Sequence, residues 1–230
     1  MNRSEINHII QTSRRFIEQF GYILPPFADW SPQEMARRVR NDAPAIRRTR
    51  LGWDITDYGE GRFADFGLFL FTVRNGWLKD LQNGRGMLYA EKIMISRKDQ
   101  LSPMHRHALK AEDIINRGGG TLVLELFMSR PDGSIDDQAE VCVPTDGVLR
   151  KMPAGSHLKL APGESVTLMP GVWHAFWGEG GDVLIGEVST VNDDLTDNIF
   201  REAIGRFSTI EEDEDPLHLL VSDYDAWLDA

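Results

Sequence analysis

Between Met104 and Glu112 the chain gathers His105, His107, Lys110 and Glu112. On a strand, His105 and His107 project from one face, because side chains alternate with a period of two. Glu112 follows a short turn later, where its carboxylate can fold back to the same point. One sequence-distant ligand would complete a metal site, and Pro170-Gly171-Val172-Trp173-His174 supplies a turn leading into a strand that opens on histidine. A competing carboxylate is Glu125, on the strand face Thr121-Val123-Glu125-Phe127. His8, His157 and His218 lack ligand spacing and read as surface or hydrogen-bonding histidines.

Positioning these residues requires a framework, and the sequence divides into a helical front and a strand-rich remainder. Ser4 can cap a helix running to about Phe20, with Ile6, Ile9, Ile10, Phe16, Ile17 and Phe20 on one face and Gly21 as the stop. Ser31-Pro32-Gln33-Glu34 is a capping box with proline at the first helical position. Trp53 to Glu60 reads as a loop. From Phe66 short strands recur between turns: 68–73, 88–96, 121–127, 139–144, 148–152, 157–160, 165–169, 173–177 and 182–190. Gly118-Gly119-Gly120 and Gly178-Glu179-Gly180-Gly181 read as turns, and Asn198 to Phe207 as a weak helix. Regular short strands of this kind form a sandwich or barrel. The expected organisation is one domain over 1–230: a helical extension over 1–60, a β core over 66–190 and a C-terminal extension over 191–230.

Hydrophobic residues make up 41% of the 230 residues and charged residues 27%, ordinary values for a soluble globular chain. A net charge of −11 argues against nucleic-acid binding, which is built from clustered Lys and Arg. No apolar run approaches the roughly 20 residues that cross a bilayer, and Met1-Asn2-Arg3-Ser4-Glu5 opens no signal peptide, so a cytoplasmic location is expected. The single Cys142 cannot form an intrachain disulfide, offers no thiolate cluster to zinc, and reads as a small buried side chain. Exposed barrel strands and an apolar helical front make a homodimer the expected assembly.

The order His-x-His, Glu, Gly turn, then Pro-Gly-x-x-His resembles the two motifs of the cupin superfamily. That resemblance implies a mainly β double-stranded β-helix, or jelly-roll barrel, with one metal held by His105, His107, Glu112 and His174. Such a donor set suits a divalent ion with open positions, Mn(2+) foremost, with Zn, Co, Ni and Fe as alternatives. Longer segments narrow the resemblance: Tyr89-Ala90-Glu91-Lys92-Ile93-Met94-Ile95, Glu112-Asp113-Ile114-Ile115-Asn116-Arg117-Gly118-Gly119-Gly120, Gly186-Glu187-Val188-Ser189, Val191-Asn192-Asp193-Asp194 and Glu211-Glu212-Asp213-Glu214. Together these are similar to the D-lyxose isomerase family of cupin-type sugar isomerases, which implies a metal-dependent aldose–ketose isomerase acting on a monosaccharide. D-lyxose with D-xylulose is the expected pair, and D-mannose with D-fructose the expected side activity. Ala108 departs from the family pattern, in which an aromatic residue commonly follows the second histidine, and a wider pocket is the expected consequence. A cupin dioxygenase and a non-catalytic sugar-binding cupin are the rival readings.

Moving hydrogen between C1 and C2 of a sugar takes either a metal-assisted hydride shift or a protein base within about 3 Å of the proton. Lys110 is the first candidate base, with nearby positive charge expected to lower its pKa. Glu187 and Glu211 are the candidate partner acids, and Glu211 is placed at the barrel mouth as the opening residue of the acidic run. Lys92, which interrupts an apolar strand, and Asp193 are the candidate substrate-binding residues, and Asp194 is a further candidate hydroxyl acceptor beside Asp193. Trp173, Phe176 and Trp177 pack as core or line one wall of the pocket.

Overall fold

The computed structural model describes residues 1–228. Helix α1 (Arg3–Gln19) buries Ile6, Ile9, Ile10 and Ile17, the face their spacing predicts, and stops before Gly21 at φ +72°. Its start differs from expectation. Asn2 is the N-cap, while the Ser4 amide and hydroxyl both donate to Asp213, at 2.9 and 2.6 Å. Helix α2 (Pro32–Asn41) starts at the predicted box, with Ser31 Oγ accepting from the Glu34 amide at 3.2 Å, and α3 (Pro44–Arg48) follows.

The stretch expected as a loop after Trp53 instead opens as strand β1 (Gly52–Thr56), paired antiparallel with β2 (Leu68–Arg74). All five residues of β1 are buried, so the polar–apolar alternation of a half-exposed strand is absent from its sequence. Helix α4 (Leu78–Gln82), β3 (Tyr89–Ser96), β4 (Ser102–His107) and the long β5 (Glu112–Ser129) come next. After β6 (Ile135–Asp136), β7 (Val141–Thr145) and β8 (Val148–Met152) form a separate hairpin. Cys142 is exposed, because its neighbours Val141 and Val143 take the inward face of β7. Strands β9 (Ser156–Leu160), β10 (Ser165–Leu168), β11 (Trp173–Thr190) and β12 (Asn198–Phe200) complete the sheet, and α5 (Tyr224–Trp227) lies in the tail. The stretch read as a weak helix therefore begins as β12, which pairs with the edge of β4.

The main sheet runs β1-β2-β3-β11-β4-β12, while β5 pairs with β11, β9, β10 and β6. The two 18-residue strands β5 and β11 thus serve both layers, and the sheet curls on itself. The glycines read as turns lie within these strands. Gly118 and Gly119 have φ of +151° and +96°, and the β5–β11 register shifts between Glu179 and Val183. A Cβ on Gly119 would stand 2.1 Å from the Asp182 carbonyl oxygen, so the glycine permits a close backbone crossing at a bulge instead of reversing the chain.

The sheet is buried on both faces. Leu68, Leu70, Met94 and Ile185 point into the barrel core, whereas Phe69, Phe71, Ile93, Ile95 and Leu184 pack with α1. Lys92 and Glu187 fall on the barrel face and lie opposite one another in the β3–β11 register. Charged side chains buried at this depth require partners.

Candidate active site

Strands β4 and β11 bring the three histidines together. His105 faces His174 in the β4–β11 register, and one nitrogen from each of His105, His107 and His174 lies within 4.8 Å of the other two. Each imidazole is oriented by a backbone carbonyl accepting from Nδ1: Pro103 for His105 at 2.8 Å, Asp197 for His107 at 3.1 Å and Val172 for His174 at 3.1 Å. Because a carbonyl only accepts, each Nδ1 carries its proton and each Nε2 presents a lone pair. Burial, followed by the charge of neighbouring groups, holds His105 and His107 below their ordinary pKa and therefore neutral.

Glu112, the first residue of β5, points at the same place. Its Oε1 lies 3.2 Å from His174 Nε2 and 3.5 Å from His107 Nε2. Glu112 Oε1 and His107 Nε2 are both buried without a hydrogen-bond partner. Buried lone pairs that face one another are costly unless a cation lies between them. These donors fit a divalent metal ion: three imidazole nitrogens and one carboxylate oxygen, each imidazole anchored from behind. Glu125, the competing carboxylate, is excluded because Leu122, Leu124 and Leu126 take the inward face of that segment of β5.

Lys110 is buried beside this cluster, its Nζ 2.7 Å from Glu112 Oε2 and 2.9 Å from Glu187 Oε1. Burial would lower its pKa, but Glu112 and Glu187, with Asp194 behind them, outweigh burial and raise it. Among the chain's own groups, the charges within reach of Lys110 are carboxylates, and these favour the ammonium. Glu112 is held well below the ordinary carboxylate range: burial opposes this, and the Lys110 charge prevails.

Lys92 enters the same pocket. Its Nζ contacts Asn192 Oδ1 at 2.8 Å, Asp194 Oδ1 at 3.4 Å and Glu187 Oε1 at 3.5 Å. Of the two adjacent aspartates expected as hydroxyl acceptors, Asp194 reaches the pocket. The Asp193 carboxylate is turned to the Leu195 amide and the Thr196 hydroxyl, where it organises the turn. The pocket lining also includes the apolar Leu68, Met94, Phe176 and Phe200. Of the three aromatics considered for a wall, Phe176 alone lines the pocket. Trp173 packs with Met104, and Trp177 lies edge-on to His157.

Glu211 is not brought to the pocket. Its backbone bridges to Asn2 beside the start of α1, and its side chain is exposed. The acidic run holds the N-terminal helix: Glu212 receives Arg3 at 2.6 Å, Asp213 receives Ser4, and Glu214 receives Asn7 at 2.6 Å. Ala108 is exposed in the turn after β4 and does not line the pocket, so the wider pocket expected there does not arise. Two charged groups escaped sequence reasoning. Arg206 lines the pocket, 2.7 Å from Asp54 and 3.6 Å from Asp194, and Asp54 lies on β1, the strand read as a loop.

A family model described as D-lyxose isomerase matches residues 1–224. A D-lyxose/D-mannose isomerase of Serratia proteamaculans is 47% identical over 226 residues, covering 97% of this chain and 98% of its own. A protein of the same name from Escherichia coli O157:H7 is 45% identical over 226 residues, with the same coverage of 97% and 98%. Among solved structures, the L-ribose isomerase of Acinetobacter sp. DL28 in complex with L-ribose superposes with a TM-score of 0.61 at 15% identity, covering 92% of this chain and 98% of that one. The L-ribose isomerase of Geodermatophilus obscurus gives 0.57 at 16% identity, again over 92% and 98%. At such identities the likeness concerns the fold, a mainly β barrel of the cupin type.

Proposed function

The chain belongs to the D-lyxose isomerase family and is an aldose–ketose isomerase, and from that premise we propose that it interconverts D-lyxose with D-xylulose and D-mannose with D-fructose in the His105–Glu112–Lys110 pocket. The two relatives named D-lyxose/D-mannose isomerase support the substrate pair, since D-mannose is D-lyxose lengthened by one carbon. The observation that carries the site is the convergence of three Nδ1-anchored imidazoles and the unpartnered Glu112 Oε1 beside the buried Lys110–Glu187 pair.

In this reading His105, His107, Glu112 and His174 hold one divalent ion, for which Mn(2+) is proposed, the same donors also suiting Zn, Co, Ni and Fe. When bound, the ion supplies Lewis acidity to the sugar's carbonyl and hydroxyl oxygens. The rest falls to this chain's own groups. The Glu187 carboxylate takes the proton from C2 of the open-chain aldose while the Lys110 ammonium donates one to O1, giving a cis-enediol. Lys110, now neutral, takes the O2 proton and Glu187 returns its proton to C1, leaving the ketose and the starting protonation state. Lys110 begins as the ammonium, paired with Glu112 at 2.7 Å and Glu187 at 2.9 Å. Lys92 and Asp194, which line the pocket, are assigned the sugar hydroxyls in this reading, and Leu68 and Phe176 the carbon skeleton.

The proposed state is a cytoplasmic homodimer. Exposed Tyr89 and Val188, diagonal neighbours across β3 and β11, together with exposed Leu88, support association. Among the described residues no helix is long and apolar enough to cross a membrane. An aldose panel with ketose detection, run on chelated protein and after addition of single divalent ions, tests the function. Ketose from D-lyxose and D-mannose that disappears on chelation and returns with Mn(2+), without oxygen consumption, is the expected result. Metal-independent turnover or oxygen uptake would refute it.

A further inference from the structure

We propose that Asp197 is the positioning residue of the reaction centre, setting His107 and Lys110 together from one point on the segment that follows β11. This inference rests on the metal and acid–base roles proposed above. Asp197 is 6% exposed. Its Oδ1 accepts the amides of Ala108 at 2.8 Å and Leu109 at 2.9 Å, and its Oδ2 accepts the Lys110 amide at 2.9 Å. Its own carbonyl oxygen accepts Nδ1 of His107 at 3.1 Å. Four consecutive residues, 107 to 110, are therefore fixed by one residue that lies 87 positions from Lys110.

Three successive amides converging on one carboxylate form an anion-binding nest, here filled from within the chain. Charge-assisted bonds of this kind are about twice as strong as neutral ones and define direction as well as distance. The nest closes the turn between β4 and β5, on which Lys110 must leave the backbone toward Glu112 and Glu187. The carbonyl of the same residue selects the His107 tautomer that directs Nε2 at Glu112. One displacement of Asp197 would therefore misplace a metal ligand and the acid–base lysine together.

Asp197 stands in a segment that also faces the pocket. The Asp197 amide donates to the Asp193 carbonyl at 3.0 Å, and between them Asp194 meets Lys92. The segment is anchored at its other end, where Asn192 exchanges hydrogen bonds with Asn75 at 2.9 and 3.0 Å. Asp197 thereby connects this anchored segment to the ligand turn.

Asp197→Asn keeps the size and the backbone carbonyl but turns an amide NH2 toward one of the three donors. Outer-shell partners of metal ligands are worth about 10–100-fold in affinity or activity. The variant is expected to bind Mn(2+) about tenfold more weakly by direct titration of the chelated protein. At saturating Mn(2+), its kcat should still be down at least tenfold with KM within about threefold, a split that general loosening of the fold would not produce. Mn(2+) affinity and kcat both within twofold of wild type would overturn the proposal. If the variant does not fold, amide hydrogen exchange in the wild-type protein decides: slow exchange at 108, 109 and 110 supports the nest, and exchange at free-loop rates refutes it. Titration and exchange remain readable if the protein isomerises neither sugar, so failure of this inference is distinguishable from failure of the assigned reaction.

Discussion

Lys110 Nζ lies 2.9 Å from Glu187 Oε1, joining the turn after β4 to the far end of β11 across 77 residues of sequence. Both side chains are buried, and the same ammonium reaches Glu112 Oε2 at 2.7 Å. The lysine is thus shared between the carboxylate that faces the imidazoles and the carboxylate assigned the C2 proton.

Removing either member of the pair should separate chemistry from binding. Glu187→Gln and Lys110→Met are each expected to lower kcat by about 10²–10⁴-fold, the usual worth of positioned acid–base groups, with KM changed far less. Steady-state kinetics on D-lyxose at saturating Mn(2+) checks this. Glu187→Gln should also leave Mn(2+) affinity close to wild type, since Glu187 does not face the imidazole nitrogens.

The proposed metal ligands make a different signature. His174→Ala or Glu112→Gln should weaken Mn(2+) binding by at least tenfold in direct titration, and activity should recover in part as Mn(2+) is raised. Glu112→Gln carries a second effect, because it also deprives Lys110 of a carboxylate partner at 2.7 Å.

The pH dependence of the metal-free protein follows from the histidines. Burial lowers His105 and His107 below the ordinary value of 6.5 in the folded state, whereas in the unfolded chain they protonate near 6.5. Between the two values the unfolded state binds more protons, so stability is present above 6.5 and falls as pH drops through this window. Urea unfolding of chelated protein between pH 8 and 5 should show that decline, and saturating Mn(2+) should reduce it by keeping the imidazoles ligated.

The acidic run packs on the start of α1, away from the pocket. Arg3 is fully buried, with Asp223 and Glu212 at 2.9 and 2.6 Å. Arg3→Met should cost about 3 kcal/mol of stability, as expected when a buried charge loses its partner, while Glu211→Gln should retain wild-type kcat. Chemical denaturation and steady-state kinetics of the two variants check both expectations.

These comparisons show where the sequence was legible. The convergence of His105, His107, Glu112 and His174 was legible because ligand types at strand spacing, with turns at fixed offsets, leave a local signature. Lys110 and Glu187 could be named but not paired, since the protonation of Lys110 depends on a carboxylate 77 positions away. Arg206 and Asp54 were invisible for a related reason. They meet across 152 residues, and Asp54 sits in a strand buried on both faces, whose pattern resembles neither alternation nor a helix. The glycine runs were misread because the same residue that permits a turn also permits a bulge, and only the partner strand decides between them. Glu211 was misplaced because an acidic run carries no record of which helix end it will cap.

Turnover of D-lyxose in D2O, followed by NMR of the D-xylulose formed and the aldose recovered, tests the proton-transfer account most directly. A C2 proton held on Glu187 between the two transfers can exchange with solvent, so the account predicts deuterium in part of the C1 positions of the ketose and of the C2 positions of recovered aldose, both lost with kcat in Glu187→Gln. Complete retention of the original C2 hydrogen at C1, with no deuterium in either sugar and full activity in Glu187→Gln, would contradict it.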